Sequence, residues 1–549
     1  MDESKPEINP LNEDQIFLAD LEEKAYNYLN VPTSLALLFF TKSEFFYPLS
    51  DPKKLEPYIE ERDAHKDLVN KQTILKLMEL SKKDNPQAKQ FLRAFLPRYI
   101  DISLPSGQRG YRGNDKEFEE RLSNLANRKD KKNILGWLGN RQQKGENLWR
   151  SYIRLKNPLI KIESGITEAE IKEQNLIFDT VERMDSQATA ELLFSKIKIL
   201  KKLGFQSIDQ YLELMTGQSP EETKQDILKM IKLLKQIPEN HGEKTDYFLK
   251  ERQVLKGLNL NVDPQADPTD LLQKSLEELG IDKDDFQKKV AIITENLAPE
   301  LLTAGYFYIS RPPQLKNNYP GLEDSAAWQL VKNFPVIITT PGNFNHPEEY
   351  RYLNHEFGHA LEIFLSLKDN QSFPLLISGR PIPLKEVFSL FQESRMPAKG
   401  YFQARQKFLI TKYAGLILHE LNVWQEAEKV VNNGEKGKDK ANFFKEMEAS
   451  YQENVGEALN CFVPTGRFLG DRFNVNQTPL EPANYAYGIV IAALLRKIVD
   501  KAASTEDKNQ ILSQAVKSLN EKQSPKEFLA SLGADWNEAL NSLKLLFNI

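Results

Sequence analysis

The residues best placed to do chemistry lie in one short run, His355-Glu356-Phe357-Gly358-His359. On an α-helix, two residues four apart differ by about 40° around the axis. Both imidazoles can therefore face one metal ion, and zinc suits nitrogen donors of this kind. Glu356 points about 100° away from His355. Its carboxylate would reach a water on the metal rather than the metal itself, which is where a general base belongs. Two protein ligands do not complete a catalytic zinc site, which wants three and an open position for water. The third is expected as a carboxylate from a later helix. Glu386 is the leading candidate, with Glu362 and Glu393 as weaker ones. Ser389 and Glu393, at i+3 and i+7 from Glu386, share its helix face and could orient the ligands. The plainer alternative is a polar histidine pair on a surface helix.

These residues need particular elements to position them. Asn345-His346-Pro347-Glu348-Glu349 makes a good helix start, with proline and acidic residues in the first turn, and Tyr350 to Leu367 continues without proline. A second helix is expected after Pro381-Ile382-Pro383. Most of the remaining chain also reads as helix. Ile16, Phe17, Leu21, Ala25 and Leu29 lie near one stripe. Ser219-Pro220-Glu221-Glu222 is a capping box, Asp267-Pro268 and Asp282-Lys283 are further starts, and Gly217 and Gly280 are stops. Strand candidates are few: Gly305–Ser310 and Pro335–Thr340. The glycine-rich Ser106–Gly113 lacks phosphate-loop spacing and reads as a surface turn.

Composition narrows the class. The 549 residues carry 73 Lys+Arg against 78 Asp+Glu, a net charge of −5, which argues against a nucleic-acid-coating surface. A single cysteine, Cys461, excludes an internal disulfide and a cysteine zinc finger, and its apolar neighbours suggest a buried thiol. No secretory signal is apparent at the acidic N-terminus, and the longest apolar run, Tyr485–Leu495, is too short to span a bilayer. A soluble cytoplasmic protein is expected, with export by a signal-independent route left open.

The HEFGH run, followed by Glu386-x-x-Ser389-x-x-x-Glu393, resembles the thimet oligopeptidase and oligopeptidase F family of zinc metallopeptidases. The order of elements from Gly305 through the Phe334-Pro-Val-Ile-Ile-Thr segment to the HEFGH helix is similar to that family's, as is the tyrosine-rich Asn484–Ala493. The resemblance covers roughly residues 290–400 and 480–500. It implies a mostly α, two-lobed fold with a deep central cleft and a small β-sheet beside the zinc helix. Residues 1–280 would form a divergent helical N-terminal lobe and 281–549 a catalytic lobe, with C-terminal helices free to pack back on the first. It further implies one zinc ion on His355, His359 and Glu386, with Glu356 as general base. Tyr485 or Tyr487 would bind the oxyanion. The strand of Val336, Ile337, Ile338, Thr339 and Thr340 would pair with an extended substrate backbone. Substrates would be short unstructured peptides cut at internal bonds.

One departure stands out. The family usually has a histidine shortly before its tyrosine-rich segment, and Gly470–Pro482 contains none. Arg467 or Arg472 could supply a positive donor instead, and His419 is a remote substitute. Two alternatives stay open: a helical zinc carboxypeptidase with similar ligand spacing, and a zinc-binding pseudo-peptidase that binds peptides or proteins without cutting them. His346, His65 and His241 receive no metal role.

Overall fold

The computed structural model describes residues 12–22, 24–25, 67–104, 168–236, 244–247, 250, 268–287, 290–293, 326–329, 336–339, 347–367, 379–395, 399–469 and 478–547. The fold is mostly α. Helices α1 (Lys71–Lys82) and α2 (Pro86–Ser103) open on Asn70 and Asn85, whose side chains accept the backbone N–H of Thr73 and Ala88. Then come α3 (Glu168–Leu203), α4 (Ile208–Thr216) and α5 (Pro220–Leu234). The expected capping box at Ser219 and Glu222 is present in full. Helices α6 (Pro268–Glu278) and α7 (Lys283–Gln287) follow. Gly217 and Gly280, at φ of 76° and 67°, end their helices in the left-handed region as expected.

The elements that build the site come next. Helix α8 (Pro347–Leu367) matches the expected histidine helix, and α9 (Val387–Glu393) matches the second one. A 34-residue helix, α10 (Lys399–Asn432), leads to α11 (Gly437–Tyr451), which runs into a π-helical turn at Gln452–Gly456. Helix α12 (Pro482–Asp500) carries the tyrosine-rich segment, and α13 (Thr505–Glu521), α14 (Pro525–Ser531) and α15 (Trp536–Leu546) close the described chain. Helix α9 lies between α8 and α12, and α12 also packs on α10.

Five short strands are described: β1 (Thr245–Asp246), β2 (Val290–Ile293), β3 (Ala326–Gln329), β4 (Val336–Thr339) and β5 (Cys461–Phe462). The first and last pair in parallel with each other. The other three form a sheet in the order β2-β4-β3. Strand β4 runs parallel to β2, with Val290 opposite Val336, and antiparallel to β3, with Trp328 opposite Ile337. Both β3 and β4 contact α8, so a small sheet does lie beside the histidine helix. The expected strand at Gly305–Ser310 lies outside the described residues, as does the Ser106–Gly113 turn.

The buried apolar side chains form one cluster that draws on both halves of the chain, from Leu18 to Leu543. Cys461 is part of it, buried as its neighbours suggested. Among the described residues, no helix is long and apolar enough to cross a membrane.

Candidate metal centre

The helix period places His355 and His359 on one face of α8, their ring centroids 5.0 Å apart. Both rings turn an Nε2 toward the same atom, Glu386 Oε2, at 3.2 Å from His355 and 3.1 Å from His359. Glu386 is the residue from which α9 starts, and its carboxylate lies 2.7 Å from the Ser389 hydroxyl, which donates to it. Two backbones must approach closely to bring these groups together, and Gly358 permits it. A Cβ at that position would sit 2.3 Å from the Phe388 carbonyl oxygen and 2.5 Å from Ser389 Cα. Any side chain there would drive α8 and α9 apart, and the histidines away from Glu386.

A further carboxylate stands behind His355. Glu393 is fully buried, and its Oε1 receives His355 Nδ1 at 2.6 Å and Arg351 Nη1 at 3.0 Å. Its other oxygen receives Gln406 Nε2 at 2.5 Å. With Nδ1 held by Glu393, the His355 ring is fixed so that Nε2 points at Glu386. His359 lacks this arrangement: its buried Nδ1 has no hydrogen-bond partner among the described residues. Of the weaker ligand candidates, Glu393 thus acts from behind the ring. Glu362 is taken out by Arg380, with which it forms an ion pair whose side chains are both fully buried.

The donor set fits a metal ion. His355, His359 and Glu386 each offer one ligand atom, and these atoms lie within 4.8 Å of one another. Two ligands of a tetrahedral zinc are separated by about 3.3 Å, given bonds of about 2.0–2.1 Å. The 3.1 and 3.2 Å contacts are close to that edge length. Electrostatics agree. Burial alone would lower the His355 pKa, but Glu386 and Glu393 outweigh it and push it up to about 10. His359 is raised too, as Glu386 outweighs burial. Burial would raise Glu386, yet the two imidazoles hold it well below the usual carboxylate range. Such a site calls for positive charge, and protons supply it where no cation does. Glu356 is buried beside the histidines and is not among the three ligands; burial raises its pKa and makes it a stronger base.

The two tyrosines part company. They are two residues apart on α12, about 200° around the axis. Tyr485 faces the site, with its ring nearly parallel to that of His355 at 6.5 Å. Tyr487 is fully buried on the other side, where its hydroxyl receives Gln218 Nε2 at 2.5 Å and donates to Asp226 at 3.3 Å. Its expected role at the oxyanion is therefore corrected: the hydroxyl is bound to α5 and its flank. The expected substrate pairing of Val336, Ile337, Ile338 and Thr339 is corrected as well. Strand β4 is central, and both of its backbone edges are already paired along their length. An added strand needs an unpaired edge. Thr340, His346, His65, His241 and Arg472 lie outside the described residues, as does the Arg467 side chain.

His419 does not fill the place of the absent histidine. It is buried, with Nε2 2.5 Å from the Phe468 carbonyl and Nδ1 3.0 Å from the Ser450 hydroxyl. A neutral ring satisfies both, donating from Nε2 and accepting at Nδ1. Three residues at the site are not among the sequence candidates. Arg351 lies one turn before His355 on the same helix, and that spacing was available as a signal. Gln406 and Tyr413 come from α10, and only tertiary packing brings them here.

No family model matches the chain, and no curated protein matches it. Its structure is similar to a carboxypeptidase of Pyrococcus furiosus, at 12% identity over 98% of this chain and 99% of that one, with a TM-score of 0.47. It is also similar to PZ peptidase A, at 11% identity over 99% and 98% with a TM-score of 0.45. A third likeness is to oligoendopeptidase F of Enterococcus faecium, at 11% over 97% and 98% with a TM-score of 0.39. Overlaps this loose leave family and activity to be argued from the chain's own residues.

Proposed function

We propose that this chain is a zinc-dependent peptidase that hydrolyses internal bonds of short, unstructured peptides. The observation that carries the reading is the convergence of His355, His359 and Glu386 on one point, with Glu356 buried beside them. A zinc ion held there would supply a Lewis acid that acidifies water and polarises a peptide carbonyl. Glu356 takes the proton of the attacking water and hands it to the leaving amine. Tyr485 is the hydrogen-bond donor for the oxyanion, where a preorganised donor counts most. Glu393 holds the His355 ring in one tautomer, and Ser389 orients Glu386. The substrate backbone adds to the sheet at an outer edge. Strand β3 is the candidate, because it contacts α8 and pairs only with β4 among the described residues. The division into lobes at about residue 280, the cleft between them and the cytoplasmic location belong to the same proposal.

The test combines metal analysis of the purified protein with mass-spectrometric mapping of products from a random peptide pool. Zinc near one ion per chain and internal cuts, lost with chelator and restored by zinc, are expected. Glu356→Gln should keep its zinc and lose about 10²–10⁴ of the rate. Stepwise loss of C-terminal residues would favour a carboxypeptidase. Zinc binding with no cleavage would favour a pseudo-peptidase.

A further inference from the structure

Helix α10 presents three side chains at seven-residue spacing: Gln406, Tyr413 and Glu420. Seven residues make about 700° of helical rotation, so the three share one face. Each meets the candidate site at a different level. Gln406 Nε2 donates to Glu393, the carboxylate behind His355. The Tyr413 ring stacks on Tyr485, with centroids 4.9 Å apart and 20° between planes. Glu420 Oε1 accepts the backbone N–H of Leu480 at 2.7 Å, just ahead of the α12 start at Pro482. Leu480 has a φ of 54°, a conformation that a leucine adopts only where its surroundings impose it. One stripe of α10 thus bears on His355, on the Tyr485 ring and on the turn that sets where α12 begins.

We propose that Tyr413 is a positioning residue that holds the Tyr485 phenol on the His355 side of the site through the ring stack. The inference deepens the peptidase reading and rests on it. A long side chain on a helix has more than one open χ1 well, so Tyr485 needs a reason to stay turned toward the site. Its ring is nearly parallel to both neighbours, at 20° to Tyr413 and 21° to His355. Rotating it away would break the stack with Tyr413 and carry the phenol off the His355 side. Helix α12 also lies against α9 here, with Gly488 next to Leu390 and near Glu386. Helix α12 is therefore seated closely, and the ring above it is placed by its aromatic neighbours.

The stack needs the Tyr413 ring, not its hydroxyl. Tyr413→Phe should retain the wild-type rate within about twofold, whereas Tyr413→Leu should lower kcat about tenfold with little change in KM and in zinc content. In a Tyr485→Phe background, Tyr413→Leu should change kcat less than about twofold, because the ring acts through the phenol. The proposal is overturned by equal losses in both backgrounds, by a loss in Tyr413→Phe as large as in Tyr413→Leu, or by no loss in Tyr413→Leu. A second readout does not depend on turnover. In full-length protein labelled with 3-fluorotyrosine, the Tyr485 fluorine resonance is identified by its loss in Tyr485→Phe. It should keep its position in Tyr413→Phe and move in Tyr413→Leu. A resonance unmoved in Tyr413→Leu overturns the stack even if peptides are cleaved. Failure to cleave any peptide, with the resonance behaving as expected, counts against the peptidase reading alone.

Discussion

The two imidazoles of the candidate metal centre are held unequally, although they sit one helical turn apart. His355 donates to a buried carboxylate through Nδ1, whereas His359 Nδ1 has no partner among the described residues. The orientation of the first ring therefore depends on Glu393, which in turn is held by Arg351 and Gln406. Outer carboxylates of this kind tune the affinity of the metal site. Glu393→Gln should weaken zinc binding about 10–100-fold in competition with a chelator; unchanged affinity would show that the ring holds itself. The tyrosines provide a second residue-scale contrast. On the proposed mechanism, Tyr485→Phe should lower kcat by about 10²-fold with zinc content kept, since it would remove a donor at the developing charge. Tyr487→Phe should leave turnover near wild type and lower stability by about 1 kcal/mol, the usual worth of a buried hydrogen bond. Reversed results would exchange the two assignments. The sequence could name these tyrosines as a pair but could not choose between them. Their 200° separation on a helix says that only one faces the site; which one is decided by Gln218 and Asp226, 269 and 261 residues away in the chain.

At the scale of elements, what was legible is local and what was not is a matter of pairing. The histidine helix, its proline start, the capping box at Ser219 and the glycine stops follow from short-range chemistry, and the structure has them where the sequence puts them. Strand β4 was legible as a strand, but its place between β2 and β3 was not, since partner choice depends on segments far off in the chain. Helix α10 was legible as a helix, while the use of its Gln406, Tyr413 and Glu420 stripe was not. Glu420 yields a prediction about how α12 is held. Burial raises its pKa to about 7, only partly offset by the Leu480 N–H and the Trp424 indole N–H. The sign follows from proton binding: between the unfolded value of 4.5 and about 7, the folded state binds more protons than the unfolded one. This residue's contribution to stability therefore falls as pH rises through that window. Glu420→Gln keeps the acceptor oxygen and removes the titration. Its melting temperature should approach or pass that of wild type as pH rises from 5 to about 8. Parallel melting curves for the two proteins across this range would count against the buried, protonatable carboxylate.

For the whole molecule, the contrast between a first half without candidate site residues and a second half that holds them belongs to the sequence, not to the core. The buried apolar residues join Leu18, Phe91, Tyr211 and Met230 to Phe357, Trp424 and Leu543 in one cluster. Helix α10, which supports the candidate site, packs against α3 and α5 from the first half. Helix α12 is tied to the first half by the Tyr487 contacts with Gln218 and Asp226, and α15 packs on both α12 and α5. Arg93 of α2, itself nearly fully buried, reaches the Leu214 carbonyl at 2.6 Å and Gln523 Oε1 at 2.7 Å, joining three distant stretches of the chain. Removing the first half would uncover the faces of α10, α12 and α15 that these helices cover, and large apolar faces without a partner do not stay folded in water. A fragment of residues 281–549 should therefore fail to melt cooperatively and should bind zinc far more weakly than the full chain, although it holds all three ligands. Circular dichroism melting and chelator competition on the fragment and the full chain check this. A fragment that melts sharply and keeps zinc would mean that the second half is a folding unit of its own, with the contacts to α3 and α5 serving only to dock the two halves.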